Sequence, residues 1–445
     1  MTRSFQYMVA MFLIVALTMA VCGGSETPGS DESAISETLE FVASSPGIMP
    51  SSFEKMLGYI ADTPESRDSL QITDIAELRV GFGIVVPGDE ATFEQTTDYM
   101  LEVMVGAYKT VGIQLTNNIG TGGGVETFLS GFKRSNFRAT ETTRDSLGFD
   151  VRNVDQVATF GDYQFGGEIL LGSFTPEITD EHLAAYEDCV PHDVVTHSNV
   201  GYYAWGEDLK QSLKLRIAKP AYDNLGRGGR IVVMDGMAAR TFSHDPMKQI
   251  IDASKDVQPS LADDPDYVMA AMLLASYGAM NVRFTGNPSS VESSIARIEE
   301  AWGSGLEKVV SIEEMRAQFA QSNLVQRYKV AAVGSAFPES EGGAPDTYAV
   351  LIYSSETEAI ENTSQLKKRI EEDEYFREAN QPNRRPDDPY ISSMWLEKLT
   401  DYEVWSEGNA VILRVNAECF GNALEQPMLW DGGNPIIIHN LLVTE

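Results

Sequence analysis

The chain has 445 residues, of which 43% are hydrophobic and 9% aromatic. That composition excludes wholesale disorder, and the length exceeds one ordinary core, so two domains are expected. The net charge of −33 repels nucleic acid, anionic headgroups and acidic polymers, and its even spread along the chain suits a soluble surface in a salty exterior better than a focused cation site.

The N-terminus reads Met1, Thr2, Arg3, then an uncharged run from Tyr7 to Val21, then Cys22, Gly23 and Gly24. One basic residue before an apolar run shorter than the roughly 20 residues of a membrane span fits a signal peptide. Met19-Ala20-Val21-Cys22 looks like a bacterial lipoprotein processing site, although Val21 stands where Gly, Ala or Ser is usual. Three readings stand: lipidation on Cys22, simple cleavage, and an uncleaved N-terminal anchor. The first is the expectation. Residues 1–22 are then a lipoprotein-type signal and 23–48 a disordered acidic tether without Lys or Arg. The body is held at the cell membrane by lipid, facing outside the cytoplasm. With Cys22 lipidated, Cys189 and Cys419 remain as an even pair that an oxidising compartment could join. Two buried free thiols are the alternative.

Along the body, Phe53, Met56, Leu57 and Ile60 share a helical face. "LRVGFGIVV" (78–86) reads as a strand, and Phe93, Thr97, Leu101, Met104 and Tyr108 follow at helical spacing. "NNIGTGGGVETF" (117–128) is a loop that lacks the P-loop and dinucleotide patterns. "GGEILLGSF" reads as a strand and "TDEHLAAYEDC" as a helix with Leu183 and Tyr186 on one side. "VGYYAWGE", "GRIVVMDG" and "MAARTFS" read as strands, the last two joined at Asp235-Gly236. Asp245-Pro246 and Asp264-Pro265 each open a helix, the acid capping and the proline at the first position. Ser289 with Glu292, and Ser355 with Glu358, form capping boxes. "KVAAVGSAF" and "TYAVLIYSS" are strands, and "DYEVWSEGNAVILRVNAEC" is a hairpin turning at Glu407-Gly408.

"GYYAWGE" (201–207) and "DYEVWSE" (401–407) coincide at Tyr202/Tyr402, Trp205/Trp405 and Glu207/Glu407, which reads as an internal duplication. The expected fold is α+β and duplicated: two antiparallel sheets, each with helices packed on one face. The domains expected are 49–268 and 269–445.

"GYIADTPESRDSLQITDIAELR" (58–79), "LGFDVRNVDQVATFG", "GYYAWGEDL", "LGRGGRIVVMDGMAARTFSHDPMKQIIDA" and "PSLADDPDY" resemble a family of uncharacterised exported bacterial proteins with lipoprotein-like leaders. The resemblance implies export and a repeated α+β body. It names no activity and transfers no catalytic residue.

Several groupings invite chemistry. His182, Cys189, His192 and His197 lie close in sequence, but their spacing matches no closed zinc site. Ser52-x-x-Lys55 opens the penicillin-recognising enzymes, whose other motifs are missing. Asp263, Asp264 and Asp266 suit a helix N-terminus better than calcium. Tyr202, Tyr203, Trp205, Tyr402 and Trp405 offer a stacking platform for a sugar or peptide, or a core. Arg384 and Arg385 beside Asp387 and Asp388 read as a self-paired surface patch. No catalytic set, cofactor or metal is expected. The expected function is that of a non-catalytic surface binding or interaction protein, its partner a protein or small molecule and not nucleic acid. The alternatives are an extracellular hydrolase with a carboxylate site and a solute-binding component of an uptake system.

Overall fold

The computed structural model describes residues 52–103, 144–185, 191–215, 221–296, 312–337, 346–372 and 401–416, less a few single positions, together with Thr444. The leader with Cys22, the tether 23–48, Cys189, Cys419, the loop 117–128 and the patch of Arg384, Arg385, Asp387 and Asp388 lie outside the described residues.

The named elements run α1 (Ser52–Leu57), α2 (Pro64–Asp68), β1 (Leu70–Asp74), α3 (Ile75–Phe82), β2 (Val154–Phe160), β3 (Gly167–Gly172) and α4 (Pro176–Ala185). Next come β4 (Asp193–His197), β5 (Val200–Ala204), β6 (Arg230–Met234), β7 (Met237–Thr241), α5 (His244–Ser254), α6 (Pro265–Ser276) and β8 (Ala279–Thr285). The chain continues through α7 (Ile312–Phe319), β9 (Val330–Ala336), β10 (Asp346–Ile352), α8 (Glu356–Glu372), β11 (Asp401–Glu407) and β12 (Ala410–Asn416).

The fold is mixed α and β, and its strands form one open antiparallel sheet, not two. The order is β11-β12-β10-β9-β8-β1-β2-β3-β7-β6-β5-β4. The join is the pairing of β1 with β8, which sets Leu70 against Phe284 and Ile72 against Val282. The boundary expected at 268/269 falls inside α6, and the core that α6 helps to build draws on strands from both sides of it.

Helices cover both faces of this sheet, where one face was expected. The cause is visible in strands such as β10, where Val350 and Ile352 point one way and Ala349 and Leu351 the other, all buried. A strand apolar on both sides must be covered on both. On the first face α1, α5 and α6 pack Phe53, Met56, Ile250, Tyr267 and Leu274 against Ile72, Ala158, Val232, Val282 and Val350. On the second, α3 and α4 cover β2, β3 and β6 with Ile75, Leu78 and Leu183. There α8 covers β10 and β12 with Ala359, Leu366 and Ile370.

Several local expectations hold. Asp264 caps α6, accepting from the Asp266 amide at 2.9 Å, with Pro265 at the first position. Asp235 and Gly236 turn between β6 and β7. Two differ. "LRVGFGIVV" is not a strand: its first half is the end of α3, which Asp74 caps and Gly83 closes in the left-handed conformation at φ +63. The helix expected to begin at Pro246 with Asp245 as its cap begins two residues earlier, at His244, with Ser243 at the cap position.

Candidate functional site

Two histidines, His197 and His244, lie at the outer end of the sheet, where β4 and β5 meet α5. The β4–β5 hairpin turns through Ser198 and Asn199, both at positive φ (46° and 60°), which is the two-residue turn that matches strand twist. Asp252, on the last turns of α5, holds it. The carboxylate meets His197 Nε2 at 2.9 Å and accepts from Ser198 Oγ at 2.6 Å. Burial raises the Asp252 carboxyl, but the bonds from Ser198 and His197 outweigh it and hold it below the ordinary value. Serine, histidine and aspartate are thus together, yet both donors end on the carboxylate. A hydrolase needs the serine on the imidazole; this wiring anchors a turn.

A second network lies beside it. Arg230 opens β6 fully buried, and its guanidinium donates to the carbonyls of Trp205 (3.0 Å), Gly228 (2.9 Å) and Gly206 (2.9 Å). Its charge meets Asp208 at 2.6 Å. Asp208 also accepts the His244 amide at 3.2 Å, doing for the start of α5 what the Ser243 side chain does not. The Tyr202 hydroxyl bonds His244 Nδ1 at 2.7 Å, and His244 Nε2 faces Asp208 at 3.8 Å. With the hydroxyl as donor, Nδ1 accepts and Nε2 carries the proton. Burial, then Arg230, pushes the His244 imidazole below its ordinary value. Burial also pushes Tyr202 up and Arg230 down. The Tyr202 and His244 shifts both favour the uncharged forms, the phenol and the neutral imidazole.

The other candidates disperse. His192 packs on Tyr203 and Trp205, at 5.6 and 5.4 Å between ring centroids. Tyr203 donates to Asp180. His182 Nδ1 meets the Asp145 carbonyl at 2.9 Å. Asp263 accepts from the Ser260 amide, Asp264 caps α6 and pairs with Arg67, and Asp266 pairs with Lys329. Ser52 and Lys55 are exposed on α1. Among the described residues no group of three or more His, Cys, Asp or Glu is placed to hold a metal ion.

The aromatic match between 201–207 and 401–407 does not mark equivalent places. Tyr202 is buried on the first face and Trp205 on the second, whereas Tyr402 packs on the second and Trp405 on the first. Trp405 donates to Glu407 at 2.9 Å, and Glu407 also accepts Tyr277 Oη at 2.5 Å while Tyr277 stacks on Tyr348 at 4.8 Å. These rings build core and its margin more than a platform.

Asp208, Arg230, His244 and Asp252 escape a sequence reading. The available signal is Arg230 itself, a charge at the head of the apolar strand "RIVVM"; a cation there needs a carboxylate from elsewhere. The chain matches no family model, no curated protein and no solved structure. Function therefore rests on the chain's own residues.

Proposed function

We propose that the protein is exported, held at the membrane by lipid on Cys22, and that its body is a non-catalytic binding or interaction module. The anchor is supported by the order of Arg3, the apolar run Tyr7 to Val21, Cys22 and the acidic tether. The observation that carries the non-catalytic reading is the wiring at Asp252, where His197 and Ser198 both end on the carboxylate and fasten a hairpin to a helix. The partner is a protein or small molecule outside the cytoplasm, since a charge of −33 opposes nucleic acid.

The experiment is intact mass of the full-length product from a bacterial membrane fraction, beside Cys22→Ser. A chain beginning at Cys22 and carrying diacylglycerol, absent from the variant, is the expected result. A lipid-free or full-length mass removes the anchor.

We also infer that the two halves repeat one plan. Outward from the join, one side runs β1-β2-β3-β7-β6 and the other β8-β9-β10-β12-β11, with β5 and β4 added beyond β6. On each side the third strand leads to a second-face helix, α4 or α8, before the last hairpin. This order pairs β11 with β6 and not with β5. Coexpressed fragments divided at Val257, which is 63% exposed, should fold and reassociate through β1 and β8; insoluble fragments would count against two repeats.

A further inference from the structure

We propose that the β4 edge is a pairing surface for a second copy of this chain, joined antiparallel about Val195. Among the described residues β4 ends the sheet and has β5 as its ladder partner. The two-residue turn makes His197 and Val200 a hydrogen-bonded pair, so Asp193, Val195 and His197 direct their backbone groups to β5. The backbone N–H and C=O of Val194 and Thr196 therefore point out of the sheet. The side chains there are open as well: Asp193 and Thr196 are exposed, and Val194 is 64% exposed.

Edge strands that stay single commonly carry a lysine, a proline or a bulge. "DVVTH" has none of them, and its register with β5 is unbroken. The hairpin is also fixed in place by Asp252, so little order has to be imposed on pairing.

The occupant follows from the strand's own sequence. Centred on Val195, two copies set Val194 opposite Thr196 of the partner subunit at both ends. These are the residues with outward backbone groups, and each pair exchanges two bonds. Any other centre loses part of that ladder. The same register puts Val195 against its twin and Asp193 against an imidazole, His197 of the partner subunit. In so acidic a chain a carboxylate facing a carboxylate is the common hazard, and this register avoids it. The opposing force is the −33 on each copy, which salt screens within about 3 Å at 1 M and about 30 Å at 0.01 M. The association is weak and strengthens with salt.

The test uses the full chain with one added cysteine, oxidised under mild conditions at 1 M and at 0.02 M NaCl and read on non-reducing gels. In the proposed register the two Val195 positions form a non-hydrogen-bonded pair about 4.5 Å apart at Cα, within disulfide reach. Two Asp193 positions lie four residues out of step, roughly 14 Å apart and out of reach. Val195→Cys is expected to give a covalent dimer, more at high salt, with Asp193→Cys and the unsubstituted chain (native Cys22, Cys189 and Cys419) at background. Thr196→Pro removes an outward N–H that β5 does not use, and added to Val195→Cys it should return the dimer to background. Three results overturn the proposal: no dimer at either salt, equal cross-linking at Asp193→Cys, or a dimer that survives Thr196→Pro in a variant whose circular dichroism matches the parent.

Discussion

At the scale of single residues, the outer end of the sheet is governed by contacts that tolerate little change. Gly228 is one. A Cβ there would stand 1.6 Å from the Trp205 carbonyl oxygen, the same oxygen that accepts from Arg230. Gly228→Ala must move that backbone and loosen the guanidinium, so a loss of about 2–3 kcal/mol is expected, read as a lower urea midpoint at unchanged slope. Tyr202→Phe removes the partner of His244 Nδ1 without opening a cavity and should cost about 1–2 kcal/mol by the same measurement.

His244 also gives the network a pH dependence of definite sign. Its folded value lies below the ordinary one of about 6.5, so the unfolded chain takes up the proton first as pH falls. Stability from this group is full above about 6.5, falls as pH drops through that value, and levels off below the folded value. The difference in urea midpoint between the parent and His244→Asn, followed from pH 8 to 5, should shrink over that window. A constant difference would show that His244 does not titrate with folding.

At the scale of elements, what is legible depends on whether a signal is local. The α6 start is legible because cap and proline adjoin: Asp264 and Pro265. Asp264 does more than cap, since it also accepts from Arg67 of α2 at 2.6 Å. Asp264→Asn keeps the cap and loses the ion pair, whereas Asp264→Ala loses both. Alanine should cost about 1 kcal/mol more than asparagine in chemical denaturation; equal losses would mean that the cap contributes nothing. The end of α3 shows the opposite case. Val80, Phe82, Ile84 and Val86 alternate like a strand, but the cap at Asp74 and the left-handed Gly83 decide for helix. The site was less legible still. Arg230 and Asp208 are distant in sequence, as are His197 and Asp252, and each partnership exists only once β5, β6 and α5 are assembled.

At the scale of the whole molecule, the two-sheet expectation fails at one place, the join. β1 is "LQITD" and β8 "AMNVRFT". On the second face they present Gln71, Thr73, Asn281 and Arg283, so neither has the apolar run that betrays β10 or β12. Read locally they pass for linkers, and without them the halves look like separate domains. Their first-face side chains say otherwise. Ile72 and Val282 are opposite each other and fully buried, in the same core as Phe53 of α1 and Leu274 of α6. Separate domains would let a lesion in one leave the other intact; a shared core passes the loss across. Val282→Ala removes two buried methyl groups at the join and should cost about 2–3 kcal/mol. Hydrogen exchange followed by mass spectrometry reads where that loss appears. Faster exchange is expected in β3 and β7, far to one side, as well as in β10 and β12 on the other, because all four hang on the one ladder. If only β9, β10 and β12 lose protection, the join is an interface between two independently stable bodies, and the continuous sheet would not be a cooperative unit.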